Sequence, residues 1–306
     1  MNWTAQNIPQ QNGKLAIVTG ATGGIGYETA LALAMAGAEV IVAARNPQKG
    51  RDALARIAGH RPAGKVRFEE IDLASLASVS AFAERILAEN RPLDLLINNA
   101  GVMAPPTRKT TADGFELQFG TNHLAHFALT AKLLPALRRA SRPRVTNVSS
   151  LAHRAGAKIL FDNLQAEHGY KPWPFYQQSK LANMLFTFEM QRRSDAAGWG
   201  LLVDAAHPGF ARTDLIANGP GANSLQAKGS RILSRFLSHD SLGGALPTLY
   251  AAASPDASPN GYYGPNGFYE MKGPVAPAYI APRAKDAASA KRLWEISEKL
   301  TGVRWG

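Results

Sequence analysis

Residues 15–30 read "LAIVTGATGGIGYETA", and the way this stretch divides decides the fold. Leu15 to Thr19 form a short apolar and β-branched run of strand character, and Gly20, Gly23, Gly24 and Gly26 then interrupt it. Beyond them apolar residues recur on one side of a helix until Gly37 ends the segment. Glycine lets the backbone turn tightly and come close to an anion, and the amides at a helix N-terminus supply donors and a dipole. A tight connection with no ligand would read the same way, and the spacing Gly20, Gly24, Gly26 is not the commonest G-x-G-x-x-G fingerprint. Its place between a first strand and an amphipathic helix favours a dinucleotide, with Thr22 and Ile25 as further contacts in the turn.

Working outward, "EVIVAAR" (39–45), "KVRFEEIDL" (65–73), "LDLLINNAG" (93–101), "RVTNVSS" (144–150) and "GLLVDAAHPG" (200–209) repeat the strand pattern. Helical segments at 48–58, around 75–89, and before the fifth and sixth strands separate them. Strands alternating with helices imply βαβ units, hence an α/β fold with one doubly wound parallel sheet and helices on both faces. No linker or composition break interrupts 1–306, so one domain is expected. Irregular segments are expected at 102–113, 152–175, 211–230 and the Pro/Gly-rich 253–285. All but the last follow a strand's C-terminal end, where open α/β sheets bind ligands.

Composition narrows the function classes. With 306 residues and 45% apolar side chains the chain can bury a large core. There is no cysteine, which excludes disulfides, thiolate metal sites and a cysteine nucleophile, and no metal is called for. Net charge is +11, from 34 Lys and Arg against 23 Asp and Glu, but no basic block of five or more appears. Nucleic-acid binding, which concentrates charge on one element, is therefore not expected. "MNWTAQNIPQQNGK" has no signal-peptide pattern, and "LALAMAGAEVIVAA" carries Glu39 and is too short to span a bilayer. The expectation is a cytoplasmic protein with no membrane span.

The second strand ends in Ala44 and Arg45, where a carboxylate would otherwise hold a ribose 2′-hydroxyl. Arg45, backed by Lys49, suits a 2′-phosphate, so NADP(H) is preferred and NAD(H) remains open; a surface arginine at a strand end is the rival reading. Asp72, followed by Leu73, is placed to accept from an adenine amino group, and helix capping explains it equally well. Asn98, Asn99, Ala100 and Gly101 end the fourth strand, either closing the cofactor pocket or capping the strand.

"PWPFYQQSKLANMLF" (172–186) sets Tyr176 and Lys180 four residues apart, on one helix face. A phenol ionises near pH ~10, and a nearby ammonium lowers that value toward neutrality, where acid/base catalysis works best. Such a pair is also an ordinary helix-surface pair, and what changes the reading is its company. Ser149 and Ser150 end the fifth strand with hydroxyls suited to a carbonyl oxygen. Asn122 lies within a helix, where its amide needs a backbone or water partner. Pro208, Gly209 and Thr213 follow the sixth strand. His123 and His126 read as structural, Trp173 and Phe175 equally as pocket wall or packing, and Pro172 and Pro174 as stiffening the helix entry.

Taken together, Thr19-Gly20-x-x-x-Gly24-x-Gly26, Asn98 to Gly101, Asn122, Ser149-Ser150, Tyr176-x-x-x-Lys180 and Pro208-Gly209 with Thr213 resemble the short-chain dehydrogenase/reductase family over residues 14 to about 215. "AARNPQKG", "TNHLAHF", "SSLAHRAG" and "YQQSKLANMLF" resemble its retinol dehydrogenase / protochlorophyllide reductase-like branch. The resemblance implies a Rossmann-type sheet and an Asn122–Ser150–Tyr176–Lys180 tetrad. Tyr176 would be the acid/base, with Lys180 lowering its pKa and binding ribose hydroxyls. Ser150 would orient substrate, Asn122 would hold a relaying water, and Thr213 would contact the carboxamide. It also implies a homodimer or homotetramer. The expected activity is hydride transfer between NADP(H) and a carbonyl or secondary alcohol of a hydrophobic small molecule; the alternative is an NADP(H)-sensing regulatory protein without turnover. The 211–238 segment, with Leu215, Ile216, Ile232 and Phe236, is expected to form a substrate lid, and 253–306 a C-terminal extension.

Overall fold

A computed structural model of the protein describes residues 3–154, 156–210 and 240–305. Among the described residues eight strands form one sheet: β1 (Leu15–Thr19), β2 (Glu39–Ala44), β3 (Val66–Glu70), β4 (Leu95–Asn98), β5 (Arg144–Val148), β6 (Leu202–Ala206), β7 (Tyr262–Pro265) and β8 (Val275–Pro277). Their order is β3-β2-β1-β4-β5-β6-β7-β8, parallel except for the antiparallel β8.

Every residue of β1 is buried because both faces of the sheet are covered. Leu15 and Ile17 enter the core beneath α3 (Leu76–Ala88) and α5 (Ala125–Leu137), which follows the three-residue turn α4 (Leu117–Phe119). Ala16 and Val18 enter the core on the opposite face, beneath α1 (Gly24–Met35), α2 (Pro47–Gly59) and α7 (Ser241–Ala253). The long α6 (Pro172–Ala197) packs on the first face, with α8 (Ala287–Thr301) laid against it. There Trp294 sits with ring centroids 4.9 Å from Phe127 and 5.9 Å from Phe186.

The chain runs from β1 outward to β2 and β3, then returns to place β4 on the other side of β1. That reversal opens a crevice at the C-terminal ends of β1 and β4, where Gly20 and Asn99 begin their turns. The expected Rossmann-type sheet is thus the observed one.

The 253–285 segment departs from expectation, because it holds β7 and β8. Pro265 and Pro277 disguised them, since proline is confined to strand ends and edges; here it ends β7 and the edge strand β8. Buried Tyr262 and Tyr263 carry the β7 pairing, and the His207 amide donates to the Tyr263 carbonyl at 2.9 Å. No helix among the described residues is long and apolar enough to cross a membrane. Thr213 and the 211–238 segment lie outside the described residues.

Candidate functional site

A cleft of about 610 Å³ opens at the crevice between β1 and β4. On one side it is lined by Gly20, Thr22, Gly23, Gly24, Ile25 and Gly26. Gly20 and Gly24 have positive φ values of 69° and 54°, which a side chain disfavours, and a Cβ on Gly26 would lie 2.6 Å from the Gly20 carbonyl oxygen. These contacts bring the first turn of α1 hard against the end of β1. Asn46, Ser75, Asp240 and Asp286 cap α2, α3, α7 and α8 with side-chain oxygens. The α1 N-cap, Gly23, offers none, so the helix presents open amide donors to the cleft. Open donors and a positive dipole end fit a pyrophosphate.

Thr19 fixes the opposite turn. Its hydroxyl accepts from the Asn99 and Ala100 amides at 2.9 and 3.0 Å, and the Asn99 side-chain amide donates to the Thr19 carbonyl at 2.7 Å. His126 continues this network: its Nδ1 faces the Asn122 carbonyl at 3.1 Å and its Nε2 the Thr19 hydroxyl at 3.0 Å. A carbonyl only accepts, so Nδ1 carries the proton and Thr19 donates to Nε2. Burial holds His126 down at about 4, leaving it neutral at pH 7. His123, held at about 3 by burial, pairs with the Ser297 hydroxyl at 2.9 Å. Both histidines are buried members of polar networks.

Asn122 lies in a π-helical turn, Gly120–Leu124, between α4 and α5. The wider turn aims its amide across at the chain after β4. Oδ1 accepts from the Val102 amide at 2.7 Å, and Nδ2 donates to the Val102 carbonyl and the Ser179 hydroxyl, both at 2.9 Å. A Cβ on Gly101 would approach Asn122 Oδ1 to 3.1 Å and Lys180 Nζ to 3.5 Å, which explains a glycine there. Asn122 does not itself line the cleft.

Across the cleft α6 presents Tyr176 and Lys180, both buried to within 4% of full coverage. Pro172 occupies the first turn of α6, where its missing N–H costs nothing. Trp173 lines the cleft with its ring 5.4 Å from that of Tyr176, whereas Phe175 is buried against Tyr170. Lys180 Nζ donates to the Val148 carbonyl at 3.1 Å and stands 5.8 Å from the Tyr176 ring centroid. The two serines part company. The Ser149 hydroxyl is committed to the Lys180 carbonyl at 2.9 Å, while Ser150 hydrogen-bonds the Tyr176 phenol.

The electrostatics differ from expectation in direction. Burial pushes the Tyr176 phenol up to about 12, against a smaller lowering by the Ser150 hydroxyl, and burial brings Lys180 down to about 8. Lys180 therefore loses its proton before the phenol would ionise, so its charge is gone when Tyr176 titrates. At neutral pH the pair is a protonated phenol beside an ammonium.

Of the other sequence candidates, Pro208 and Gly209 line the cleft with Phe210. Arg45, Asp72 and Leu73 do not, although Lys49 does; Arg45 is exposed at the end of β2. Asp72 is no helix cap: its Oδ1 accepts from the Ala74 amide at 2.9 Å in a local turn, and Ser75 caps α3. Met103, Leu151 and Ala152 complete an apolar wall that the sequence did not single out. Their common signal was position, each lying within two residues of a recognised strand-end motif.

The short chain dehydrogenase family model matches residues 14–221. Human retinol dehydrogenase 12 (Homo sapiens) is 41% identical over 297 residues, spanning 97% of this chain and 89% of that protein. Mouse polyprenol dehydrogenase (Mus musculus) is 39% identical over 303 residues, spanning 98% and 87%. Among solved structures, an uncharacterized protein from Mycobacterium paratuberculosis superposes with a TM-score of 0.83 at 40% identity, covering 100% of both chains. The Pseudomonas aeruginosa RhlG/NADP active-site complex gives a TM-score of 0.65 at 25% identity, covering 82% of this chain and 93% of that one. With the crevice, the open helix end and the tyrosine–lysine pair in one cleft, these likenesses establish that the chain belongs to the short-chain dehydrogenase family, in its retinol dehydrogenase-like branch, and is an NAD(P)-dependent oxidoreductase acting on CH–OH and C=O groups.

Proposed function

We propose that the protein acts as one dinucleotide-binding domain that prefers NADP(H) and interconverts a carbonyl with a secondary alcohol on a hydrophobic small molecule. The observation that carries this reading is the shared cleft: the open amide end of α1 and the Ser150–Tyr176 hydrogen bond border the same space. Met103, Leu151, Ala152, Trp173 and Phe210 make much of its remaining wall apolar, which supports the substrate class.

In this reading Gly20, Thr22, Gly24, Ile25 and Gly26 hold the pyrophosphate, and Asp72 with Leu73 receives the adenine. Arg45 and Lys49 receive the 2′-phosphate; Lys49 already borders the cleft, and β2 ends without a carboxylate. Asn99, Ala100, Gly101, Tyr176 and Lys180 surround the nicotinamide ribose, with Pro208, Gly209 and Thr213 toward the carboxamide. A nicotinamide held there would supply the hydride for reduction or take it up in oxidation.

The chain's own groups handle the proton. Tyr176 gives its hydroxyl proton to the substrate oxygen during reduction and recovers it during oxidation. Its high pKa in the free protein keeps that proton in place, and below about pH 8 the Lys180 ammonium, 5.8 Å from the Tyr176 ring centroid, favours the phenolate left behind. Ser150 donates to the same substrate oxygen. The Asn122 amide is already engaged, so its share of a proton relay falls to its main-chain carbonyl, which has a second lone pair beside the His126 contact.

The test is a screen of purified protein against aldehydes, ketones and quinones with NADPH and, separately, NADH. Turnover of apolar carbonyls with NADPH favoured is expected. Tight NADPH binding with no turnover across the panel would support a sensing role instead, and equal use of NADH would remove the assignment of Arg45.

A further inference from the structure

Three side chains that this chemistry does not use meet beside the cleft: Arg154, His207 and Glu270. His207 is buried, directly follows β6 and immediately precedes Pro208 and Gly209. Its Nδ1 accepts from the Gly209 amide at 3.1 Å, so Nε2 carries the proton and donates to Glu270 Oε2, also at 3.1 Å. Glu270 thereby selects the tautomer that holds the Gly209 amide. The same carboxylate oxygen takes Arg154 Nη1 at 3.1 Å, from the turn that follows Ser150, and Oε1 accepts from the Tyr279 amide at 3.0 Å. Burial opposes ionisation of Glu270, yet its contacts with His207, Tyr279 and Arg154 hold the carboxyl down at about 2.

The backbone is bent to make these contacts. Tyr269 and Glu270 are consecutive non-glycine residues at φ 49° and 57°, a costly conformation that persists only where its surroundings impose it. Arg154 also donates to the Tyr269 carbonyl at 2.9 Å, and the Phe210 amide donates to the Met271 carbonyl at 2.9 Å. The fit is close: Gly209 has φ 65°, and a Cβ there would lie 2.4 Å from the Met271 oxygen.

We propose that Glu270 is a positioning residue for the substrate side of the cleft: it fastens the His207–Phe210 corner to the Ser150–Arg154 turn and so fixes the span between Phe210 and the Ser150–Tyr176 pair. The kinetic consequence rests on the function proposed above; the mechanical one does not. Glu270→Gln keeps the shape and an acceptor for the Tyr279 amide but removes the charge that Arg154 and His207 share. Arg154→Met removes the other end of the clip, and the double variant tests whether the two act as one.

Hydrogen exchange by mass spectrometry should show faster exchange in peptides covering 150–154 and 207–210 in each single variant, with β1 and α1 unchanged. With a carbonyl substrate found by the screen, KM should rise about five-fold while kcat and NADPH affinity stay within about two-fold. The double variant should be no worse than the worse single one. Unchanged exchange at 207–210 together with wild-type KM would overturn the proposal. So would a uniform loss of protection across the sheet, which marks a merely structural role. If the wild-type protein turns over no substrate, the proposed reaction fails on its own account, and the exchange result alone decides the clip.

Discussion

At the scale of single residues, Tyr176 and Lys180 carry the account, and their environment defines a measurable pH response. Lys180 is held at about 8 in the free protein by burial, so its charge is present below that value and lost as pH rises through it. The profile of kcat/KM, which reports free-enzyme ionisations, should fall above about pH 8. Lys180→Arg, which cannot shed its proton, should lose that limb even if its overall rate is lower; a wild-type profile flat to pH 10 would contradict the assignment. Arg45 gives a second expectation: Arg45→Ser should cut the preference for NADPH over NADH by about ten-fold, read from the ratio of dissociation constants. Sequence brought Tyr176 and Lys180 to one side of the cleft because they share a helix face, whereas Arg45, just past the end of β2, does not line it. It did not give the sign of the tyrosine's shift, because burial depends on how α6 packs against β5, which spacing four residues apart does not encode.

At the scale of elements, the turn from β1 into α1 was legible because glycine spacing writes backbone geometry directly into sequence. Gly26→Ala would put a Cβ 2.5 Å from the Asn99 side-chain nitrogen and 2.6 Å from the Gly20 carbonyl. Overpacking of this kind costs about 1–3 kcal/mol, so a lower melting temperature and weaker NADPH binding are expected. Gly59→Ala, at the end of α2 with nothing within 4 Å of its Cβ, should leave both intact or slightly improve stability. Loss of binding in both variants, or in neither, would count against a special role for the turn. The π-helical turn at Asn122 and the strands β7 and β8 were not legible. A π turn differs from an α-helix by a shift in hydrogen-bond partners that leaves no mark on apolar periodicity. Short strands of three and four residues that contain proline offer too few alternations to recognise.

At the scale of the whole molecule, buried neutral histidines link folding to pH. Burial lowers His123 to about 3 and His126 and His153 to about 4, while unfolded histidine titrates near 6.5. Above that pH they are neutral in both states. As pH falls below it the unfolded chain takes up protons that the folded protein cannot, so the stability they leave intact at neutral pH is lost on the way to pH 4. Asp204, raised to about 7 by burial, works in the opposite sense, because the folded state keeps its proton in that window. The net effect approaches two protons, a slope of about 3 kcal/mol per pH unit at most. Denaturant titrations at pH 7 and pH 5 should show the loss, and equal stability at both would show that these groups are solvated. The central claim is that cofactor and catalytic phenol serve one cleft, and the most direct measurement is NADPH binding and NADPH oxidation side by side in wild-type and Tyr176→Phe protein. Binding retained with turnover reduced at least ~100-fold is the expected result; turnover undiminished in the variant would contradict it.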